Sequence, residues 1–261
     1  MTTPNPDMNH AVIATPSPNG VFEPASERAL VVVLPHPDDE SFAAGGTIAR
    51  CADAGVPVTY VCGTYGDMGR RMGRPAFANR ESLRDVRLQE LHEACRILGA
   101  ELHMLGLRDK CIEFEDPEQV AERVRQVIRE LSPSSVITFY PGHGVHPDHD
   151  ALGHATVLAV RGLPVAERPR LLAVAVGDRA KIREELGEPA VASDIRAVAQ
   201  RKLDALRAHR SQTEAMFLQM ASEADRPPAE DEDEQARAYR EEWTTVERYY
   251  ELDPDAPTLL E

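Results

Sequence analysis

Two short segments hold the residues best suited to chemistry: Pro35-His36-Pro37-Asp38-Asp39-Glu40 and His146-Pro147-Asp148-His149. Each sets candidate metal ligands at i, i+3 spacing behind an apolar run, and together they offer the imidazole and carboxylate donors of a hydrolytic metal site. His36 and Asp39 lie about one turn apart, so both side chains can converge above a sheet edge. His149 is the best third ligand because its loop also follows a strand. Three protein ligands leave one coordination position for water, and Zn²⁺ so held lowers the pKa of that water to about 7. The same donors also accept Fe²⁺. Asp38, adjacent to a ligand yet not needed as one, is the natural base. His146 would face the oxygen of a bound carbonyl and, as imidazolium, stabilise a tetrahedral oxyanion, with Asp148 holding that ring oriented and charged.

His143, His146, His149 and Asp148 fall within seven residues of a chain that has nine histidines, which favours a metal site over a capped turn. His143 is open between substrate contact and none. His154 reads as a partly buried helix residue, and His92 and His103 as surface or structural ones. Arg70, Arg71 and Arg74 lie in a glycine-rich stretch, with Arg80, Arg84 and Arg87 just beyond. Singly they suit solvation; as a cluster beside a metal they suggest an anionic substrate, since guanidinium meets carboxylate in a bidentate fork.

The elements that must position these residues alternate. Leu30–Leu34, Val58–Gly63, Leu102–Leu105, Val136–Tyr140 and Leu171–Val176 read as short buried strands, and Phe42–Ala54, Arg80–Leu98, Asp116–Leu131 and Leu152–Ala159 as helices. Gly55 and Gly99 are placed to stop helices and Asp116-Pro117 to start one. Thr64–Asn79 is too glycine-rich and polar for a regular element. Such alternation predicts an α/β domain with a mainly parallel sheet, and parallel sheets bind ligands at the carboxyl ends of their strands, where both motifs sit. A helix over Ala199–Ala221 and an amphipathic piece around Glu241–Tyr250 follow. The expected division is a mobile extension over 1–27, a catalytic domain over 28–222 and an acidic C-terminal segment over 223–261 that is packed or partly mobile, with Glu230–Glu234 a solvated loop.

Composition bounds the function. The net charge is −15, and residues 211–261 carry −11 of it, with fifteen acidic residues against four arginines. No basic stripe with interleaved aromatics exists, so nucleic acid is excluded as a partner. No apolar stretch approaches the roughly 20 residues of a membrane helix, and the N-terminus lacks signal-peptide features. Cys51, Cys62, Cys95 and Cys111 have no CxxC spacing and read as core fillers in a reduced, cytoplasmic protein. Gly45-Gly46 lies inside a helical pattern with no GxGxxG after the first strand, which speaks against a dinucleotide-binding oxidoreductase. A homo-oligomer is compatible with the sequence.

From Leu30 to about Val160, and more faintly to His209, the chain resembles the LmbE-like, or PIG-L, zinc-dependent N-acetylglucosaminyl deacetylases. Gly63–Gly69, Gly106–Lys110 and Thr138–Gly142 look most like the branch acting on N-acetylglucosaminyl malate in bacillithiol biosynthesis. The resemblance implies a Rossmann-like sheet with helices on both faces and a smaller C-terminal helical and strand portion. It implies zinc on His36, Asp39 and His149, Asp38 as base and His146 as oxyanion donor, in agreement with the residue-level reading. It adds Arg87 as a substrate contact and Asp109 as a ligand of sugar hydroxyls. Malate would give Arg70, Arg71, Arg74 or Arg80 two carboxylates to hold. Some relatives carry a tyrosine where this chain has Gly144, so a tyrosine general acid is not expected. Related substrates, a thiol conjugate or an acetylated oligosaccharide, share the motifs; a non-catalytic metal- or sugar-binding protein would have no use for Asp38 and His146.

Overall fold

A short run of five apolar residues, three of them β-branched valines, suits a strand covered on both faces, and Leu30–Leu34 is fully buried. The computed structural model of the protein describes residues 20–224 and 243–260. Its strands are β1 (Gly20–Val21), β2 (Leu30–Leu34), β3 (Val58–Thr64), β4 (Glu101–Leu107), β5 (Ser135–Phe139), β6 (Arg170–Val174), β7 (Val191–Asp194) and β8 (Val246–Glu251). The helices are α1 (Asp39–Asp53), α2 (Leu83–Leu98), α3 (Pro117–Leu131), α4 (Pro147–Arg161), α5 (Arg179–Leu186), α6 (Ala199–Ala208) and α7 (Arg210–Ala224). The eight strands form one sheet in the order β1-β7-β8-β6-β5-β2-β3-β4. Only β8 runs antiparallel to its neighbours. This is the α/β, mainly parallel architecture that the alternation predicts.

Side-chain alternation along β2 divides the core. Leu30, Val32 and Leu34 join Ile48, Leu91, Leu98 and Ala205 on the face of α1, α2 and α6. Val31 and Val33 join Val124, Ile128, Leu152 and Ala155 on the face of α3 and α4. From β2 the chain builds outward through β3 and β4, then returns to place β5 and β6 on the other side of β2. The carboxyl ends of β2 and β5 therefore adjoin at the reversal, where an open α/β sheet leaves a crevice for ligands. Both motifs leave the sheet there.

Local capping explains the helix starts. Asp116 accepts from the N–H of Glu118 ahead of α3, with Pro117 in the first turn. His146 does the same for α4, accepting from Asp148 N–H with Pro147 next. The helix thus begins within the second motif, five residues earlier than its apolar pattern suggests. The expected single helix over 199–221 is broken at His209 into α6 and α7. The terminal amphipathic piece is the strand β8. Residues 20–27 are not a mobile extension: β1 pairs with β7 and Phe22 is buried. Residues 1–19, and Glu230–Glu234 of the predicted acidic loop, lie outside the described residues.

A boundary at 222 would divide one sheet, because β8 lies between β6 and β7. Its Glu247 is buried and satisfies five donors: Lys202 Nζ at 2.7 Å, Gly46 N–H at 2.8 Å, Thr47 N–H at 2.7 Å, Thr47 Oγ1 at 2.6 Å and Tyr249 OH at 3.0 Å. Gly46 has no side chain because a Cβ there would lie 2.4 Å from Ile195. The carboxylate binds α1, α6 and the sheet to one point. Glu247→Ala leaves Lys202, 1% exposed, as an uncompensated buried ammonium, so urea unfolding is predicted to show a loss of about 3–5 kcal/mol. A loss of roughly 1 kcal/mol or less, the worth of a surface pair, would contradict that assignment.

Candidate metal centre

The crevice between β2 and β5 brings three nitrogen and oxygen donors together. His36 Nδ1 is 3.2 Å from His149 Nε2 and 3.3 Å from Asp39 Oδ2, and His149 Nε2 is 3.5 Å from Asp39 Oδ1. Ligands of a tetrahedral ion at 2.0–2.1 Å stand about 3.3 Å apart, so the donor set fits a small divalent cation. The backbone fixes the first segment: Tyr60 OH donates to His36 O at 2.6 Å, and His36 N–H donates to Asp39 Oδ2 at 2.8 Å.

Each imidazole is oriented through its far nitrogen, as metal-binding histidines are. His149 Nδ1 meets Gly144 O at 2.8 Å, and the ring stacks on Phe139 with centroids 4.0 Å apart. Donation there leaves the Nε2 lone pair facing the centre. His36 Nε2 lies 3.1 Å from Asp148 Oδ2 and 3.4 Å from Asp109 Oδ1, which leaves Nδ1 for the centre. Burial alone would lower the His36 pKa, yet Asp109, Asp148 and Asp39 raise it well above the ordinary histidine value. The pocket is built to hold positive charge at this point.

Asp148 does not perform the expected service to His146. Its buried carboxylate accepts from His36 Nε2, from Lys110 N–H at 2.7 Å and from Ile112 N–H at 3.1 Å, while only its backbone N–H meets His146 Nδ1, at 3.1 Å. It orients His36. His146 is not held as imidazolium either: burial and the neighbouring His36 lower its pKa. Its Nδ1 accepts, so its proton resides on Nε2, a neutral donor. The ring stands 4.9 Å from His36 and 5.3 Å from His149 between centroids.

Asp38 and Asp39 are adjacent and pushed apart in acidity, the arrangement that separates a base from a permanent anion. Burial raises Asp38, with Arg87 opposing and Asp39 adding to the rise. Asp39 is held low because His149 and His36 outweigh its burial. Arg87 is itself buried. Its Nη1 donates to Gly66 O at 2.8 Å, and its Nη2 to Pro37 O and, at 3.2 Å, to Asp38 Oδ2.

The other predicted substrate contacts serve the loop. Asp109 is buried and accepts from Met68 N–H at 2.6 Å. Arg80 is exposed and donates to Gly69 O at 2.6 Å, and Arg71 to Gln212 O at 2.6 Å. Arg70 and Arg74 have no ion-pair partner for their guanidinium groups among the described residues. Beside His146 opens a cleft of about 390 Å³, lined by His143, Val145, Val176, Lys181, Ile182 and Glu185 among others. His143 faces it, 3.5 Å from Glu185. His154 is buried on Thr258 at 2.8 Å, and His92 and His103 are exposed. Cys51, Cys62 and Cys95 are buried free thiols, and Cys111 is half-buried and also free.

Sequence reasoning missed Glu40 and His209, which stand behind Asp38 with 2.7 Å between His209 Nε2 and Glu40 Oε1. Glu40 carries a signal, being part of the first motif. His209 carries none, since its partner is 169 positions away.

Residues 31–160 match the PIG-L family, GlcNAc-PI de-N-acetylase. A Bacillus cereus protein named "Probable N-acetyl-alpha-D-glucosaminyl L-malate deacetylase 2" is 56% identical over 193 residues, 73% of this chain and 86% of that one. Among solved structures, the N,N'-diacetylchitobiose deacetylase of Pyrococcus horikoshii superposes with a TM-score of 0.65 at 22% identity, over 88% of this chain and 85% of its own. GalB, a 4-carboxy-2-hydroxymuconate hydratase from Pseudomonas putida, superposes equally well, TM-score 0.65 at 20% identity over 90% of this chain and all of its own. The fold therefore carries more than one reaction, and the sequence match is what narrows it. The chain belongs to the PIG-L family.

Proposed function

We propose that the protein hydrolyses the acetamide of an N-acetylglucosamine conjugate, N-acetylglucosaminyl malate, to the free amine and acetate, as a step of bacillithiol biosynthesis. The observation that carries the reaction is the convergence of His36 Nδ1, Asp39 and His149 Nε2 with a base-like Asp38 and a donor His146 beside them. The 56% identical relative's name supports the malate conjugate. All four cysteines are free, which suits the reducing cytoplasm. Among the described residues no helix is long and apolar enough to cross a membrane.

His36, Asp39 and His149 would hold a divalent cation, Zn²⁺ by the donor set, with Fe²⁺ also accommodated. Bound there, the ion supplies Lewis acidity, which makes hydroxide available near neutral pH and polarises an amide carbonyl. Asp38 accepts the proton of the attacking water, its raised pKa matching that task. His146 donates from Nε2 to the carbonyl oxygen as negative charge develops there. Asp38 then returns its proton to the departing nitrogen, so that water and amide become acetate and amine. Arg87 keeps the Asp38 carboxylate aimed while neutralising part of its charge. Arg70 and Arg74 are the guanidiniums left to take the two carboxylates of malate, since Arg71 and Arg80 staple the loop.

The reading is tested by acetate release from N-acetylglucosaminyl malate and from N-acetylglucosamine. Wild type is predicted to prefer the malate glycoside and to lose turnover on chelation, and Asp38→Ala to lose about 10²–10⁴-fold in kcat; absence of turnover on both sugars would reject it. Arg70→Ala with Arg74→Ala is predicted to raise KM for the malate glycoside at least about tenfold, the scale of one charge-assisted hydrogen bond, and an unchanged KM would remove these arginines from the site. Asp148→Asn is predicted to weaken zinc retention about 10–100-fold in competition with a chelator, whereas wild-type retention would show that His36 needs no such partner.

A further inference from the structure

Asp38 adopts φ 107° and ψ −28°, a left-handed conformation that a non-glycine residue keeps only when its surroundings enforce it. The surroundings are specific. Its carbonyl accepts from Ser41 N–H at 3.0 Å and Phe42 N–H at 3.1 Å. Its N–H donates to Glu40 Oε2 at 3.0 Å, and Arg87 holds Pro37 O on the preceding residue. Glu40 is fully buried, and its other oxygen accepts from Ser41 Oγ at 2.5 Å and His209 Nε2 at 2.7 Å. His209 is equally buried between α6 and α7, and its Nδ1 meets no hydrogen-bond partner among the described residues. Among the described residues the bond to Glu40 is the one hydrogen bond made by this imidazole's nitrogens.

We propose that Glu40 and His209 are positioning residues for Asp38: His209 fixes the Glu40 carboxylate, and Glu40 pins the Asp38 amide in the left-handed conformation that presents its carboxylate to the centre. The proposal rests on the hydrolytic reading for what Asp38 does, not for how it is held. The turn that supplies His209 also clamps the glycine-rich loop. Ser211 donates from N and Oγ to Glu90 at 2.7 and 2.6 Å and accepts from Gly73 N–H at 3.1 Å, and Gln212 exchanges bonds with Arg71 in both directions. One four-residue stretch, His209 and the start of α7 through Gln212, thereby ties the base to the loop that carries Arg70 and Arg74.

A double-mutant cycle separates positioning from general support of the fold. In the wild-type background His209→Leu is expected to lower kcat about tenfold or more, with KM within about threefold and one zinc per chain retained. In an Asp38→Ala background the same change is expected to alter residual turnover less than about twofold, because its effect passes through the missing carboxylate. Equal losses in the two backgrounds would overturn the proposal. Glu40→Gln, nearly isosteric and left with one acceptor oxygen for donors on both sides, carries the same cycle if His209→Leu does not fold. Hydrogen exchange of the Asp38 amide provides a readout that needs no substrate: faster exchange in either variant supports the proposal, and wild-type protection overturns it. A wild type inactive on every acetamido sugar sinks the hydrolytic reading alone, and the amide exchange then decides the positioning by itself.

Discussion

Negative charge withdrawn from water is the constraint around which this protein is arranged. Asp39, Glu40, Asp109 and Asp148 are buried and Asp38 nearly so, all within a few ångströms of His36 or its neighbours. Carboxylates in such a place must be paired, hydrogen-bonded or neutralised. Backbone N–H groups from three segments, at His36 and Asp38, at Met68 and at Lys110 and Ile112, satisfy part of the demand, Arg87 and His209 another part. What is left converges on His36, where three carboxylates compete for one imidazole. A divalent cation held by His36, His149 and Asp39 would answer that surplus better than a proton, because it would satisfy two histidines and a carboxylate at once.

The sheet makes the concentration possible without strain elsewhere. Parallel strands end together, and the reversal of strand order at β2 parts the connections that leave β2 and β5, so two acidic and imidazole-bearing turns can face one another across a gap. Helix starts do the rest. The donor N–H groups of α4 are capped by a residue of the site itself, His146, so the device that begins the helix also sets which nitrogen of that ring bears hydrogen. The acidic residues at the start of α1 sit where a helix favours negative charge.

Much of this was readable in the order of residues. The strands β2 to β6 stand within about three residues of their apolar runs; β2, β3, β5 and β6 are covered on both faces and need little beyond continuous apolarity, and β4 closes the edge. His36, Asp38, Asp39, His146 and His149 meet because both motifs follow strands that the topology sets side by side. Spacing along the chain pairs Asp148 with its near neighbour His146, whereas its carboxylate reaches across to His36 and to the N–H groups after β4. His209 and the Glu247 carboxylate on β8 carry no signal along the chain, as their partners lie some 170 to 200 positions away. The arginine cluster was divided only by the fold: composition could not tell Arg71 and Arg80, spent on backbone carbonyls, from Arg70 and Arg74.

The place of β8 bears on how the molecule is made. It is the last strand in chain order, yet it lies in the interior of the sheet, between two strands synthesised more than fifty residues earlier. During vectorial synthesis β2 to β6 can pair as they emerge, while β7 and β1 wait across a slot one strand wide and Lys202 waits for its carboxylate. Closure of that slot is the final long-range event, and such events are slow. The half-made sheet exposes two unpaired edges until then, so a ribosome that stalls before Val246 releases a chain primed to aggregate rather than a smaller working enzyme.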